Sequence, residues 1–195
     1  PAARVIVVGL GKKRQCSPEI IRKAMGQTAR FVRKLGLSRV ATVPHGFNSI
    51  RDIDLGISAQ SITEGFELGL YEFDRYKKTW LTHEEKTNRM AELIIVDEVA
   101  DRIPLLEDGI ETGRLLAESV NISRDMANEP GNILTPSEMA ERARHIAANA
   151  DLSFKVVDQE EMKSLGMGAL LAVAAGSTQQ PKFIVMGYHG DPDNE

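Results

Sequence analysis

The chain has 195 residues, 42% of them hydrophobic and 27% charged, the composition of an ordinary globular protein long enough for one large domain or for one domain and part of a second. Its net charge of −4 excludes a whole-chain electrostatic attraction to nucleic acid or to an anionic membrane. A single cysteine, Cys16, excludes an internal disulfide and a multi-cysteine metal site and suits a reducing, cytoplasmic setting, while no apolar run reaches the ~18 residues of a membrane-spanning helix.

Residues 4–8, RVIVV, form a short β-branched run ending in Gly9-Leu10-Gly11, which predicts a buried parallel strand. Ser17 caps a helix with Pro18 at its first position, and Ile20, Ile21, Ala24, Met25, Thr28, Val32 and Leu35 give it one apolar stripe, with Gly36 at its end. A second strand follows at 39–43, then the break Pro44-His45-Gly46 and a turn-rich stretch from 47 to 56. The spacing predicts a second helix over 59–76, a polar loop over 77–89 containing Trp80 and His83, and a third strand over 92–96. A third helix is predicted over 107–126, with Ile110, Leu116, Ala117, Val120 and Met126 inward. This strand–helix order argues for an α/β fold with a mainly parallel sheet.

Pro130 stops the third helix, and Thr135-Pro136-Ser137-Glu138 combines an N-cap, a first-position proline and a capping-box glutamate for a helix running to about residue 149. A strand at 153–157, a helix capped by Asp158 and closed by Gly166, and strands at 169–174 and 182–188 complete the pattern. The division this suggests is a first domain over 1–106, a linking helix and hinge over 107–134, and the truncated start of a second α/β domain over 135–195. The first residue is Pro1 and the last stretch is the polar DPDNE, so both ends are expected to be cuts.

Candidate chemistry is sparse. Gly9-Leu10-Gly11 lacks the third glycine of a dinucleotide fingerprint, position 14 being Arg, and suits a plain turn at a strand end. His45, His83, His145 and His189 stand alone, without metal-ligand spacing. Cys16 precedes a helix start but has no partner pattern, and Ser177 lacks a nucleophile-elbow sequence. Glu107, Asp108 and Glu111 fall in the first turn of the predicted third helix, where acids complement the dipole, and Asp191, Asp193 and Glu195 suit a solvated turn. The NEPGN segment, Asn128 to Asn132, is on physical grounds a hinge.

Taken together and in order, Asn128, Glu129, Pro130, Asn132, Thr135 and Pro136, then the segment 165–173 (LGMGALLAV), then Pro181, Ile184, Val185 and Tyr188, resemble the motifs of the leucyl (cytosol) aminopeptidase family. RVIVVGLGK and ELGLYEFDRYK, residues 67–77, resemble its upstream part. The resemblance implies an N-terminal domain of macro-domain-like, three-layer fold, missing its first strands here and joined by a long helix to a larger catalytic domain. It implies hydrolysis of N-terminal residues, leucine-like ones preferred, by two divalent metals, manganese or zinc, in a homo-hexamer. The family's metal and catalytic residues sit in G-K-G-x-T-F-D-S/T-G-G and N-T-D-A-E-G-R motifs, which this sequence does not contain. No catalytic, metal or cofactor residue is therefore carried over, and the 195 residues alone are expected to hold no metal and to be inactive. The partners implied are peptide substrates, the chain's own C-terminal catalytic domain and copies of itself, with no membrane partner and nucleic acid disfavoured by the acidity. The alternative is a non-catalytic macro-like module binding DNA or an ADP-ribose-type ligand.

Overall fold

A computed structural model describes residues 4–47, 53–76 and 92–190. The predicted loop with Trp80 and His83, part of the turn-rich stretch, and Asp191, Asp193 and Glu195 lie outside the described residues. The chain divides into two compact units, one up to Ala127 and one from Asn128.

The first unit is built on helix α1, Pro18–Lys34. The Ser17 hydroxyl accepts a hydrogen bond from the Ile20 amide at 3.4 Å, and Glu19 lies in the first turn where the helix dipole favours an acid. Gly36 follows the last turn at φ +65°, a left-handed conformation that glycine adopts without steric cost. Strands β1, Arg39–Thr42, and β2, Glu92–Ile95, pair in parallel with Arg39 opposite Glu92 and Thr42 opposite Ile95. That pairing, with helices between and after the strands, gives the predicted α/β class.

Helix α2, Leu55–Leu70, is the most deeply buried element of this unit. Ile62 and Phe66 pack with Ile21, Met25 and Ala29 of α1 and with Ile53, while Leu55 and Ala59 pack with Leu106. The prediction of 59–76 is corrected at both ends. Asp54 accepts the Ile57 amide at 2.7 Å and starts the helix earlier, with Leu55 drawn into the core. At the other end Tyr71 leaves the helix, and its hydroxyl donates to Asp125 at 2.8 Å.

Helix α3, Ile103–Asn128, is about 39 Å long. A 3-10 turn, Ala100–Arg102, leads into it, so Glu107, Asp108 and Glu111 fall beyond its first turn, contrary to the expectation. Its inward face is also corrected. Leu106, Gly109, Gly113 and Ala117 are buried, whereas Leu116 and Val120 are 46% and 41% exposed. The cause is close packing. A Cβ on Gly109 would lie 2.3 Å from the Gly56 carbonyl oxygen, and one on Gly113 would lie 2.7 Å from that of Gln60. Small residues let the α3 backbone approach α2, and no bulky apolar stripe could take their place.

Residues 4–8 form no strand. They carry no regular secondary structure, with Val5 82% and Val7 92% exposed. A strand exists through hydrogen bonds to a neighbour, and among the described residues none runs beside this segment, so β-branched composition alone does not make one.

In the second unit, the Pro130 carbonyl accepts from Ile133 and Leu134 at 2.8 and 2.9 Å, closing the turn ahead of the Thr135 cap. Helix α4, Pro136–Asn149, leads to β3, Ser153–Val157, which pairs antiparallel with β4, Phe183–Gly187. Between them lie α5, Gln159–Ser164, capped by Asp158 through the Glu160 and Glu161 amides at 3.0 Å, and α6, Gly168–Ala174. The strand expected over 169–174 is thus a helix: a short apolar run fits either state, and β3 takes β4 as its partner. Ala140, Ala147, Val157 and Met162 are the buried apolar residues of this unit.

Candidate functional site

The turn from Asn128 to Thr135 is organised by charge. Glu129 has a fully buried side chain, and its carboxylate lies 3.2 Å from Nη2 of Arg142 on α4. The Arg142 Nε donates to Glu138 at 2.9 Å, and the Glu138 amide donates to the Thr135 hydroxyl at 3.3 Å. Hydrogen bonds to the two carboxylates, Glu138 first, hold the Arg142 guanidinium charged and raise its pKa. The segment following α3 is therefore tied to α4 by an ion pair whose carboxylate is buried and whose guanidinium is partly exposed. The hinge reading from sequence missed this pair; the four-residue spacing of Glu138 and Arg142 signals only their own contact and not the one with Glu129.

The other sequence candidates do not converge. Gly9 and Gly11 face open space, and after Gly11, at φ +78°, the chain makes only a 3-10 turn, Lys13–Gln15, before α1 starts at Pro18. Cys16 is partly buried against the α1–α2 core. The Ser177 hydroxyl accepts the Gln179 amide at 3.0 Å, a local turn bond. Glu111 pairs with Arg114 at 2.8 Å, which lowers its pKa. His145 lies exposed 3.0 Å from Glu141, and His189 is exposed on the second unit.

His45 has the most defined surroundings of the described histidines. It follows the C-terminal end of β1, with its Nε2 3.2 Å from the Thr42 hydroxyl. Its amide donates to the Ser58 hydroxyl at 2.7 Å, and that hydroxyl donates back to the His45 carbonyl at 2.8 Å. Burial pushes the imidazole pKa down, since the charged form loses hydration. Ser58 thus holds the His45 backbone, not its ring, and the arrangement fixes a loop.

Among the described residues no three His, Cys, Asp or Glu side chains are grouped to hold a metal ion. Two divalent metals do not fit onto these residues. What the described residues build is a tightly packed helical unit and, after α3, a turn tied to α4 by an ion pair.

Two family models match the chain in order: the N-terminal domain of the cytosol aminopeptidase family over residues 1–79, and the catalytic domain of the same family over residues 121–195. A probable cytosol aminopeptidase of Alkaliphilus metalliredigens is 39% identical over 191 residues, 97% of this chain and 37% of that protein. One from Geotalea uraniireducens is 35% identical over 196 residues, covering the whole of this chain and 38% of its own length. Among solved structures, the bottromycin maturation enzyme BotP superposes with a TM-score of 0.76 at 25% identity, over 93% of this chain and 36% of that one. A mutant of tomato leucine aminopeptidase gives 0.73 at 26% identity, over 87% and 33%.

The chain belongs to the cytosol aminopeptidase family. It spans well under half the length of the curated relatives it matches.

Proposed function

We propose that this chain is the front part of a cytoplasmic leucyl aminopeptidase that removes N-terminal residues, leucine-like ones preferred, with the help of two divalent metals, manganese or zinc. The observation that carries the reading is the ordered match to the two family domains, N-terminal then catalytic, on one chain. BotP is among the similar structures with manganese bound, and this supports the choice of metal. In this reading residues 1–106 are a macro-like N-terminal domain, 107–134 the linking helix and hinge, and 135–195 the opening of the catalytic domain. The partners are peptide substrates, the rest of the catalytic domain and five further copies of the whole protein in a hexamer.

The 195 residues by themselves carry no catalytic or metal residue and have no peptidase activity. The reading rests on the sequence, which contains neither the G-K-G-x-T-F-D-S/T-G-G nor the N-T-D-A-E-G-R motif. The test compares the 195-residue chain with the protein made from the complete reading frame, both on leucine anilide with added manganese. Turnover by the complete protein alone is the expected result. Robust metal-dependent turnover by the 195 residues would refute their inactivity, and a complete protein inert on N-terminal residues would refute the aminopeptidase assignment.

A further inference from the structure

A groove of about 220 Å3 runs over the crossing of α1 and α2, and Arg22, Lys23, Arg30 and Arg124 line it together with the glycine backbones of Gly26 and Gly65. No carboxylate lines it, in a chain whose net charge is −4. Lys23 and Arg30, seven residues apart on α1, share a face and stand about 10 Å apart along its axis. Such a pair alone would be an ordinary solvated helix face. Here a cation from α3, more than ninety positions further along the chain, joins them.

Two of the four cations are held in place. Arg22 donates from Nε to Glu64 at 2.6 Å and from Nη1 to Glu19 at 2.7 Å. Arg124 donates from Nη1 to the Leu68 carbonyl at 3.1 Å and to Asn121 at 3.3 Å, with its guanidinium 5.3 Å from the centre of the Tyr71 ring. Glu19 also lies 3.3 Å from Lys23. These two carboxylates offset half of the positive charge and leave an excess of two. Each guanidinium has five N–H donors, so both keep donors beyond these bonds. A planar fork with fixed orientation and spare donors matches the oxygens of a phosphoryl group.

We propose that this groove binds a small phosphate-bearing anion, with Arg22 and Arg124 as the fixed forks and Lys23 and Arg30 as the adjustable cations. The proposal goes beyond the aminopeptidase reading and stands whether or not that reading holds. Isothermal titration of the 195-residue chain at low salt, with tripolyphosphate, ATP and citrate in separate runs, tests it. Tripolyphosphate is expected to bind and citrate to bind more weakly. The double substitution Lys23→Gln with Arg30→Gln, at two exposed positions and checked for folding by circular dichroism, is expected to weaken tripolyphosphate binding about tenfold or more. The control Lys155→Gln with Lys163→Gln, two exposed cations of the other unit, is expected to leave it unchanged. ATP binding more tightly than tripolyphosphate would support a nucleotide ligand, and equal binding a free oligophosphate. Absence of binding up to about 1 mM, citrate binding as tightly as tripolyphosphate, or equal weakening by the control pair would overturn the proposal.

Discussion

Replacing Gly65 by alanine should separate α1 from α2. A Cβ at this position would stand 2.2 Å from the Arg22 carbonyl oxygen and 2.9 Å from its Cα and carbonyl carbon. Ordinary contact begins at 3.4 Å, so the helices must part by about 1.2 Å at this point. The obstacle is helix backbone, which cannot swing aside as a side chain would. Overpacking of this kind costs about 1–3 kcal/mol, and parting the helices also loosens Ile62 and Phe66 against Ile21 and Met25. Alanine returns about 1 kcal/mol through its better helix propensity. The net expectation is a loss of about 1–2 kcal/mol, the loosened core contacts placing it in the upper half of the difference. Urea unfolding followed by circular dichroism at 222 nm would read it as a lower midpoint with an unchanged slope. Gly9→Ala, in the same unit with nothing within 4 Å, is the control and should stay within about 0.5 kcal/mol. Gly65→Ala as stable as the parent would refute the close-packing argument.

Thr63 has a buried hydroxyl with no hydrogen-bond partner among the described residues, so Thr63→Val, of nearly the same shape, should raise stability by about 1 kcal/mol in the same assay. A lower midpoint would show that the hydroxyl is satisfied. Arg142→Ala removes one partner of the buried Glu129 carboxylate and should cost about 2 kcal/mol of the second unit's stability, whereas a loss below about 0.5 kcal/mol would mean that the pair is dispensable. For His45, the folded pKa lies below its ordinary value of 6.5, so the unfolded chain binds more protons between those two values. Its contribution is complete above pH 6.5 and is lost as pH falls through the depressed folded value; His45→Gln should flatten the acid side of the stability curve, and an unchanged curve would contradict the burial of the ring.

Where an element depends on its own few residues, the sequence was sufficient. Ser17, Thr135 and Asp158 cap their helices through bonds that reach only two or three residues along the chain, and Gly36 and Gly166 end theirs through left-handed backbone that glycine adopts freely. The resemblance to the aminopeptidase family was legible for the same reason: it rests on the order of residues such as Asn128, Glu129 and Pro130, whatever they touch. Distant partners decided the rest. The inward face of α3 is set by glycines that admit the α2 backbone, so counting bulky residues chose Leu116 and Val120 wrongly. Segment 169–174 is a helix, a state that a short apolar run fits as well as a strand, and residues 4–8 carry strand composition without a neighbour among the described residues. The Glu129–Arg142 pair and the meeting of Arg124 with the cations of α1 belong to tertiary structure alone, because a charge is indifferent to sequence spacing until folding sets its distance to another.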